Sequence, residues 1–324
     1  MKKSIQATLF LAGIFVSIAA IAAARMITVA NYMNSAAQYA SSQLIDSPQP
    51  IIGAKLINPK LKVSSDAYYG DAVEVQITRR YQSLQNLDQD FAVTYFYQPD
   101  GDTWKLIAPP QNYWGATQTA QGDTVTVIHP QRDAKLVSNL IKVIDSAIFN
   151  ACATWNCPAD LKPVTITFST DPTARRDPLT FLAPQFSGVP MSKQANDDYL
   201  TNIAAESLIS LAQKISFDSP YARAFAYRQI QKQNLYADIP DIKSLANTTT
   251  LPRPSEVWAI NADRSTFADS VALSFLNFAL SKTSVNEGDA LKSLSVRSSF
   301  DEWIAKAKLG ELGDLESSWR QSFK

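Results

Sequence analysis

Residues Asn196–Ile215 read NDDYLTNIAAESLISLAQKI, and the reading of this stretch decides how the second half of the chain is built. Leu200, Ile203, Ala204, Leu208, Leu211 and Ile215 recur every three or four residues, the period of a helix with one face in a core. No glycine or proline interrupts it. Asn196-Asp197-Asp198 reads as a helix start, where carboxylates meet the positive end of the helix dipole. At the centre, Ala205-Glu206-Ser207-Leu208-Ile209 sets one carboxylate between two apolar side chains four residues apart.

Upstream of this helix, Asp123–Ile128 is β-branched and reads as a strand. Asp133–Phe149 carries Leu136, Val137, Leu140, Ile141, Val143, Ile144 and Ile148 as a helical stripe, and Val164–Phe168 alternates like a strand again. Downstream, Phe267–Leu280 repeats the helical pattern with Phe267, Val271, Phe275, Leu276 and Ala279. Ser299-Phe300-Asp301-Glu302 has the spacing of a capping box. Gly310 and Gly313 break the chain, and Asp314 is placed to cap a last helix with Leu315, Trp319 and Phe323 on one side. Strand, helix, strand and then helices predict an α+β domain over 119–324.

The first half follows a different period. Residues 31–64 are polar and read as an irregular stalk with a short helix over Asn34–Leu44, because Pro48, Pro50 and Pro59 oppose a long one. Ala72–Thr78, Phe91–Tyr97 and Thr103–Ile107 then alternate apolar and polar residues, with Pro99-Asp100-Gly101 as a turn. Three such strands predict an antiparallel meander with one buried face, closed by Tyr113-Trp114-Gly115 and occupying residues 65–118. Trp104 and Trp114 read as its packing.

Ahead of all this, Lys2 and Lys3 precede Thr8–Ala24, TLFLAGIFVSIAAIAAA, which has no charge. Seventeen helical residues at ~1.5 Å each span about 26 Å, near the thickness of a hydrocarbon core. The expectation is a membrane segment within residues 1–30, with the amino terminus inside and everything after Arg25 outside the cytoplasm. Ala20-Ile21-Ala22 and Ala22-Ala23-Ala24 fit the small-x-small cleavage pattern and would release a secreted form. Apolar residues resume at Met26, Ile27 and Val29, which favours a retained single-pass anchor. Two cysteines, Cys152 and Cys157 in CATWNCP, sit close enough to form a disulfide in an oxidising compartment. Two thiolates without a nearby histidine do not complete a zinc shell.

Thirty basic residues balance thirty acidic ones, so no overall field draws nucleic acid, and Arg79-Arg80 and Arg175-Arg176 read as solvated surface. With ten glycines and neither GxGxxG nor GxxxxGK[ST], nothing cradles a nucleotide, and no cofactor is expected. The single histidine, His129, precedes Pro130 at a strand end without a GxSxG elbow, and it reads as structural.

The order of elements over residues 122–324, ending in SFDEWIAKAKLGELGDLESSWRQSFK, resembles the peptidase MA-like domain, the gluzincin superfamily of thermolysin-type metallopeptidases found among exported bacterial proteins. Phe186-Ser187-Gly188-Val189-Pro190 before a long helix adds to the likeness. Residues 65–118, with strand, turn, DGxxW-like strand and aromatic-Trp-Gly, resemble the sheet half of NTF2-like modules.

The peptidase resemblance implies an HExxH motif on the long helix, where two imidazoles bind zinc and the glutamate activates water. Laid on Ala205–Ile209, it retains Glu206 alone. The third ligand would fall on a WLxEGxA-type segment, and Pro220–Ala226 puts Arg223 there. The resemblance therefore implies a degenerate domain without metal, and a non-catalytic, membrane-tethered scaffold or binding protein whose partners are the bilayer through residues 8–24 and an unknown protein or cell-envelope ligand. Ile209 is expected to pack against the Phe267–Leu280 helix. The alternative is a hydrolase using carboxylates, Glu206 with Asp197 or Asp198.

Overall fold

The computed structural model describes residues 2–43, 50–110, 112–171, 179–241, 251–258, 266–295 and 297–323, with side chains from residue 18 onward. It is a mixed α+β chain. Helix α1 (Lys2–Ser42) runs unbroken through the apolar stretch and 18 residues beyond Ala24. The segment expected as an irregular stalk is therefore the end of this helix, followed by most of strand β1 (Lys55–Tyr69). The prolines do not oppose the helix because they come after it. Pro59 falls where the β1 register shifts between Asn58 and Lys62, so its missing N–H interrupts little of the ladder. Leu44 and Pro48 lie outside the described residues.

Strands β2 (Ala72–Gln82), β3 (Asp88–Asp100) and β4 (Thr103–Ile107) complete an antiparallel sheet in the order β1-β2-β3-β4. Alternation along β2 predicts one buried face, but both are covered. Val73, Val75 and Ile77 pack with Ala36 and Ala40 of α1, which are fully buried. Ala72, Glu74 and Thr78 on the opposite face are buried as well. The polar residues of that face line a hydrogen-bonded seam, which period-2 alternation cannot tell from a solvated surface. Arg79, read from sequence as solvated, is 2% exposed and donates from Nη2 to Tyr95 Oη at 3.0 Å. Arg80 does reach the surface, where it pairs with Asp90 at 2.7 Å. Arg175 and Arg176 lie outside the described residues.

A second sheet contains β5 (Thr117–Gln121), β6 (Val125–Pro130), β7 (Val164–Ser169) and β8 (Thr180–Leu182). The β5–β6 pair is antiparallel, and β6–β7 and β7–β8 are parallel. The parallel step is bridged by helix α2 (Ala134–Trp155), whose Val137, Leu140, Ile144, Ile148 and Trp155 are buried. Among the described residues, Gln131–Trp155 is the one helical stretch found long and apolar enough to cross a membrane. Its stripe is spent on the protein core. Asn156 ends α2 in the left-handed conformation, φ 49°. Around that turn Cys152 and Cys157 form a disulfide, with Cα atoms 4.9 Å apart.

The remainder is α3 (Pro184–Ser187), β9 (Val189–Pro190), α4 (Lys193–Ile215), α5 (Pro220–Lys232), α6 (Thr266–Lys282), α7 (Glu287–Ser293), α8 (Phe300–Lys306) and α9 (Leu312–Gln321). Helix α4 begins earlier than the acidic pair suggests. Ser192 Oγ accepts from Ala195 N at 3.1 Å as the N-cap, so Asp197 and Asp198 stand in the second turn. The Ser299–Glu302 capping box forms as its spacing predicts. Asp314 lies in the first turn of α9 without capping it. Strand β9 pairs with β3 through Phe91–Pro190 and Ala92–Val189. With Tyr81 and Phe91 also joining the large core, the first sheet is continuous with the second half across the boundary placed at residue 118.

Candidate functional site

The centre of α4 is enclosed. Ala205 is fully buried, Ile209 is 2% exposed and Glu206 is 5% exposed. Glu206 and Ile209 line a cavity of about 110 Å³ with Ile52, Tyr227, Ala237, Asp238, Pro240 and Asp269. Ile52 and Asp238 on its rim are exposed, so this small cavity opens to solvent. The roof is held by Asn202, one turn before Glu206. Its Oδ1 accepts from Ile52 N and its Nδ2 donates to Tyr236 O, both at 3.3 Å. Gly53, at φ +83°, allows the roof to close, since a Cβ there would lie 2.9 Å from Leu84 and 3.2 Å from Asp238.

Helices α5 and α6 supply the floor. Arg223 on α5 is 1% exposed. Its Nε donates to both oxygens of Asp269 at 3.0 and 3.1 Å, and Nη1 reaches Asp218 at 2.8 Å. Nη2 stands 2.9 Å from Asp269 Oδ1 but off the hydrogen-bonding direction, so Nε makes the bond. Tyr227 Oη donates to Asp269 Oδ2 at 3.2 Å. A buried carboxylate with this many donors is fixed in place.

This arrangement was only half visible in the sequence. The structure brings together Glu206, Ile209 and, directly beneath, Arg223; it does not bring Asp197 or Asp198 to them. Asp197 is exposed. Asp198 accepts from Gln89 and, at 2.9 Å, from Gln194, and burial raises its pKa. Asp198 also precedes Glu206 by eight residues, about 12 Å along the helix. The carboxylate that shares the cavity is Asp269, in the first turn of α6, which the sequence reading did not single out. A buried arginine on the Ala222–Ala226 stretch was the clue, because it demands an acidic partner. Ile209 belongs to the same buried core as Val271, Phe275 and Leu276 of α6 and shares the cavity lining with Asp269 of that helix.

The donor set does not fit zinc. The two positions where the peptidase resemblance would put imidazoles, Ala205 and Ile209, hold apolar side chains, and Arg223, where it would put the third ligand, is a guanidinium already engaged by two carboxylates. Among the described residues no group of three histidine, cysteine, aspartate or glutamate side chains is placed to hold a metal. His129 is buried in β6, with Nδ1 2.9 Å from Pro130 O.

A second charged cluster, unforeseen from sequence, lies in the seam between the two sheets. Glu74 accepts from Tyr69 Oη at 3.1 Å and pairs with Arg132 at 3.4 Å, whose guanidinium covers the Tyr113 ring at 4.0 Å. Tyr113 Oη and Thr94 Oγ1 approach Gln185 Oε1 at 3.3 and 3.4 Å. Asp133, 3% exposed, hydrogen-bonds Gln185 but leaves Oδ2 without a partner. Burial pushes its pKa up to about 7, against the weaker pull of Gln185 and Arg132.

No family model matches the chain, and no curated protein matches it significantly.

Proposed function

We propose that this protein is a membrane-tethered, extracytoplasmic scaffold or binding protein, and that its second half is a degenerate gluzincin-like domain in which the former metal centre has become core. The observation that carries the reading is the Arg223–Asp269 pair, which fills the floor of the Glu206 cavity with a neutralised, hydrogen-bonded ion pair. A catalytic glutamate needs a substrate atom and a polarising group within reach. Glu206 instead lines a recess of about 110 Å³ whose rim residue Ile52 reaches solvent, and the acid that shares it, Asp269, is bonded to Arg223.

The carboxylate-hydrolase alternative finds less support. Its proposed partners stand elsewhere on α4, and the acid that does share the cavity is tied to a guanidinium. Tethering is supported by the uncharged Thr8–Ala24 run inside one continuous helix, and export by the disulfide. The first sheet, with α1 laid across it, is the unit proposed to be NTF2-like.

A peptide-library digest with the full-length protein tests the catalytic half of this reading. No cleavage above background is expected. Chelator-sensitive cleavage that disappears in Glu206→Gln would overturn it. Protease treatment of permeabilised cells tests the placement: a tag after Lys324 should be digested, and full protection beside a digested control would contradict it.

A further inference from the structure

Helix α1 carries its direction into the first sheet. Tyr32 meets Trp104 at 5.0 Å and Tyr68 at 6.2 Å between ring centroids, Tyr39 meets Tyr97 at 5.9 Å, and Lys60 Nζ donates to Ser41 O at 2.8 Å. Strand β1 therefore runs back along α1 towards the apolar run. The two turns at that end, Gly70-Asp71 and Gly101-Asp102, point the same way and are joined where Gln98 Nε2 donates to Asp71 Oδ2 at 2.7 Å. Nothing lies within 4 Å of a Cβ built on either glycine, so both tips are bare.

Between α1 and the second turn lies a recess of about 320 Å³, lined by Thr28, Asn31, Tyr32, Gly101, Asp102 and Trp104 among others. Thr28 comes four residues after Ala24, about 6 Å along the helix, and Tyr32 about 12 Å. The headgroup layer on each side of a bilayer is roughly 5–8 Å thick. The recess thus begins inside that layer at Thr28 and extends a few Å past it to the ring of Tyr32, so it spans the outer, ammonium side of the headgroups.

We propose that this recess receives the ammonium of a zwitterionic lipid headgroup, which seats the turn end of the first sheet on the bilayer. The proposal rests on the membrane-anchor reading above. Among the described residues lining the recess, Asp102 is the one formal charge, and the half-exposed ring of Tyr32, packed edge to face with the largely buried Trp104, adds aromatic surface of the kind that attracts cations. Arg25 precedes Thr28 by three residues and Tyr32 by seven, on the same helix face, and is placed for the headgroup phosphate one turn closer to the hydrocarbon. A wholly anionic headgroup would meet Asp102 unfavourably.

The full-length protein in nanodiscs tests this, first in phosphatidylethanolamine and then in phosphatidylglycerol. Lipids spin-labelled at the headgroup should quench tryptophan fluorescence, and that component should vanish in Trp104→Phe, since the other tryptophans lie elsewhere in the fold. Competitive lipid exchange should favour phosphatidylethanolamine about two- to fivefold, the scale of one cation–π contact, and Asp102→Asn should abolish the preference. Quenching that does not change in Trp104→Phe, or a preference indifferent to Asp102→Asn, would overturn the proposal. Resistance to alkaline carbonate extraction separates the two levels. An extractable protein overturns the anchor and the headgroup seat together, whereas an unextractable one without Trp104 quenching overturns the seat alone.

Discussion

At the Glu206 cavity, two charges with 1% and 2% exposed side chains face each other, Arg223 and Asp269, at 2.9 Å. In the seam between the sheets, Asp133 is buried almost as deeply, but one of its oxygens has no partner and Arg132 acts on it only from a distance. The difference shows what burial does to charge. Where a fixed counter-charge and hydrogen bonds replace water, the geometry is rigid. Where they do not, the carboxyl takes up a proton near neutral pH. The Glu206 cavity is thus the electrostatically settled region, and the seam is the one able to respond to its surroundings.

Breaking the settled region should have the largest effect. Asp269→Ala leaves the Arg223 guanidinium buried with half its partners gone, and a loss of about 3–5 kcal/mol is expected in denaturant titrations. Replacing both charges, Arg223→Met with Asp269→Leu, should restore most of that stability, because no orphan charge remains. Equal losses in the single and double variants would show that the pair is not coupled.

The seam is tested by pH. The Asp133 pKa rises from its ordinary 3.8 to about 7 in the folded state, so between those values the fold holds a proton that the unfolded chain has released. Stability should therefore fall as pH rises through this window, by up to about 4 kcal/mol. Asp133→Asn should flatten the profile and be more stable than wild type at pH 8. Parallel profiles for the two proteins would contradict the reading.

How much of this the sequence disclosed depends on what fixed each residue. Helix α4 was legible because Leu200, Ile203, Leu208 and Leu211 keep a helical period, although its centre, expected to bury one face, is buried on every side from Asn202 to Ile209, and the disulfide was legible because spacing bounds its geometry. The length of α1 was hidden: its outer half is held by only a few residues on the sheet, Ala36 and Ala40 among them, and small residues give little hydropathic signal. The seam was hidden for a different reason. Glu74, Thr94 and Asp133 become neighbours only when distant segments meet, and no local pattern encodes that. Strands β5, β8 and β9, at five, three and two residues, are too short to show a period.

Smaller effects sharpen the contrast. Ile209→His should cost at least the ~1.5–3 kcal/mol of a buried isoleucine without creating metal-dependent cleavage, because Arg223 still occupies the floor. A variant that gained chelator-sensitive activity would show that the cavity is open to substrate. Reducing the Cys152–Cys157 link opens only a short loop and should cost about 2 kcal/mol, read as a lowered melting temperature. No change on reduction would mean that Asn156 and the packing of Trp155 hold the end of α2 unaided.

The central claim is that the Glu206 position is core and not a metal centre. Elemental analysis of the full-length protein after dialysis against trace zinc addresses it most directly, run on wild type and on Glu206→Gln and Asp269→Asn. The account predicts zinc far below one equivalent per chain in all three. One equivalent in wild type, lost in either variant, would contradict it.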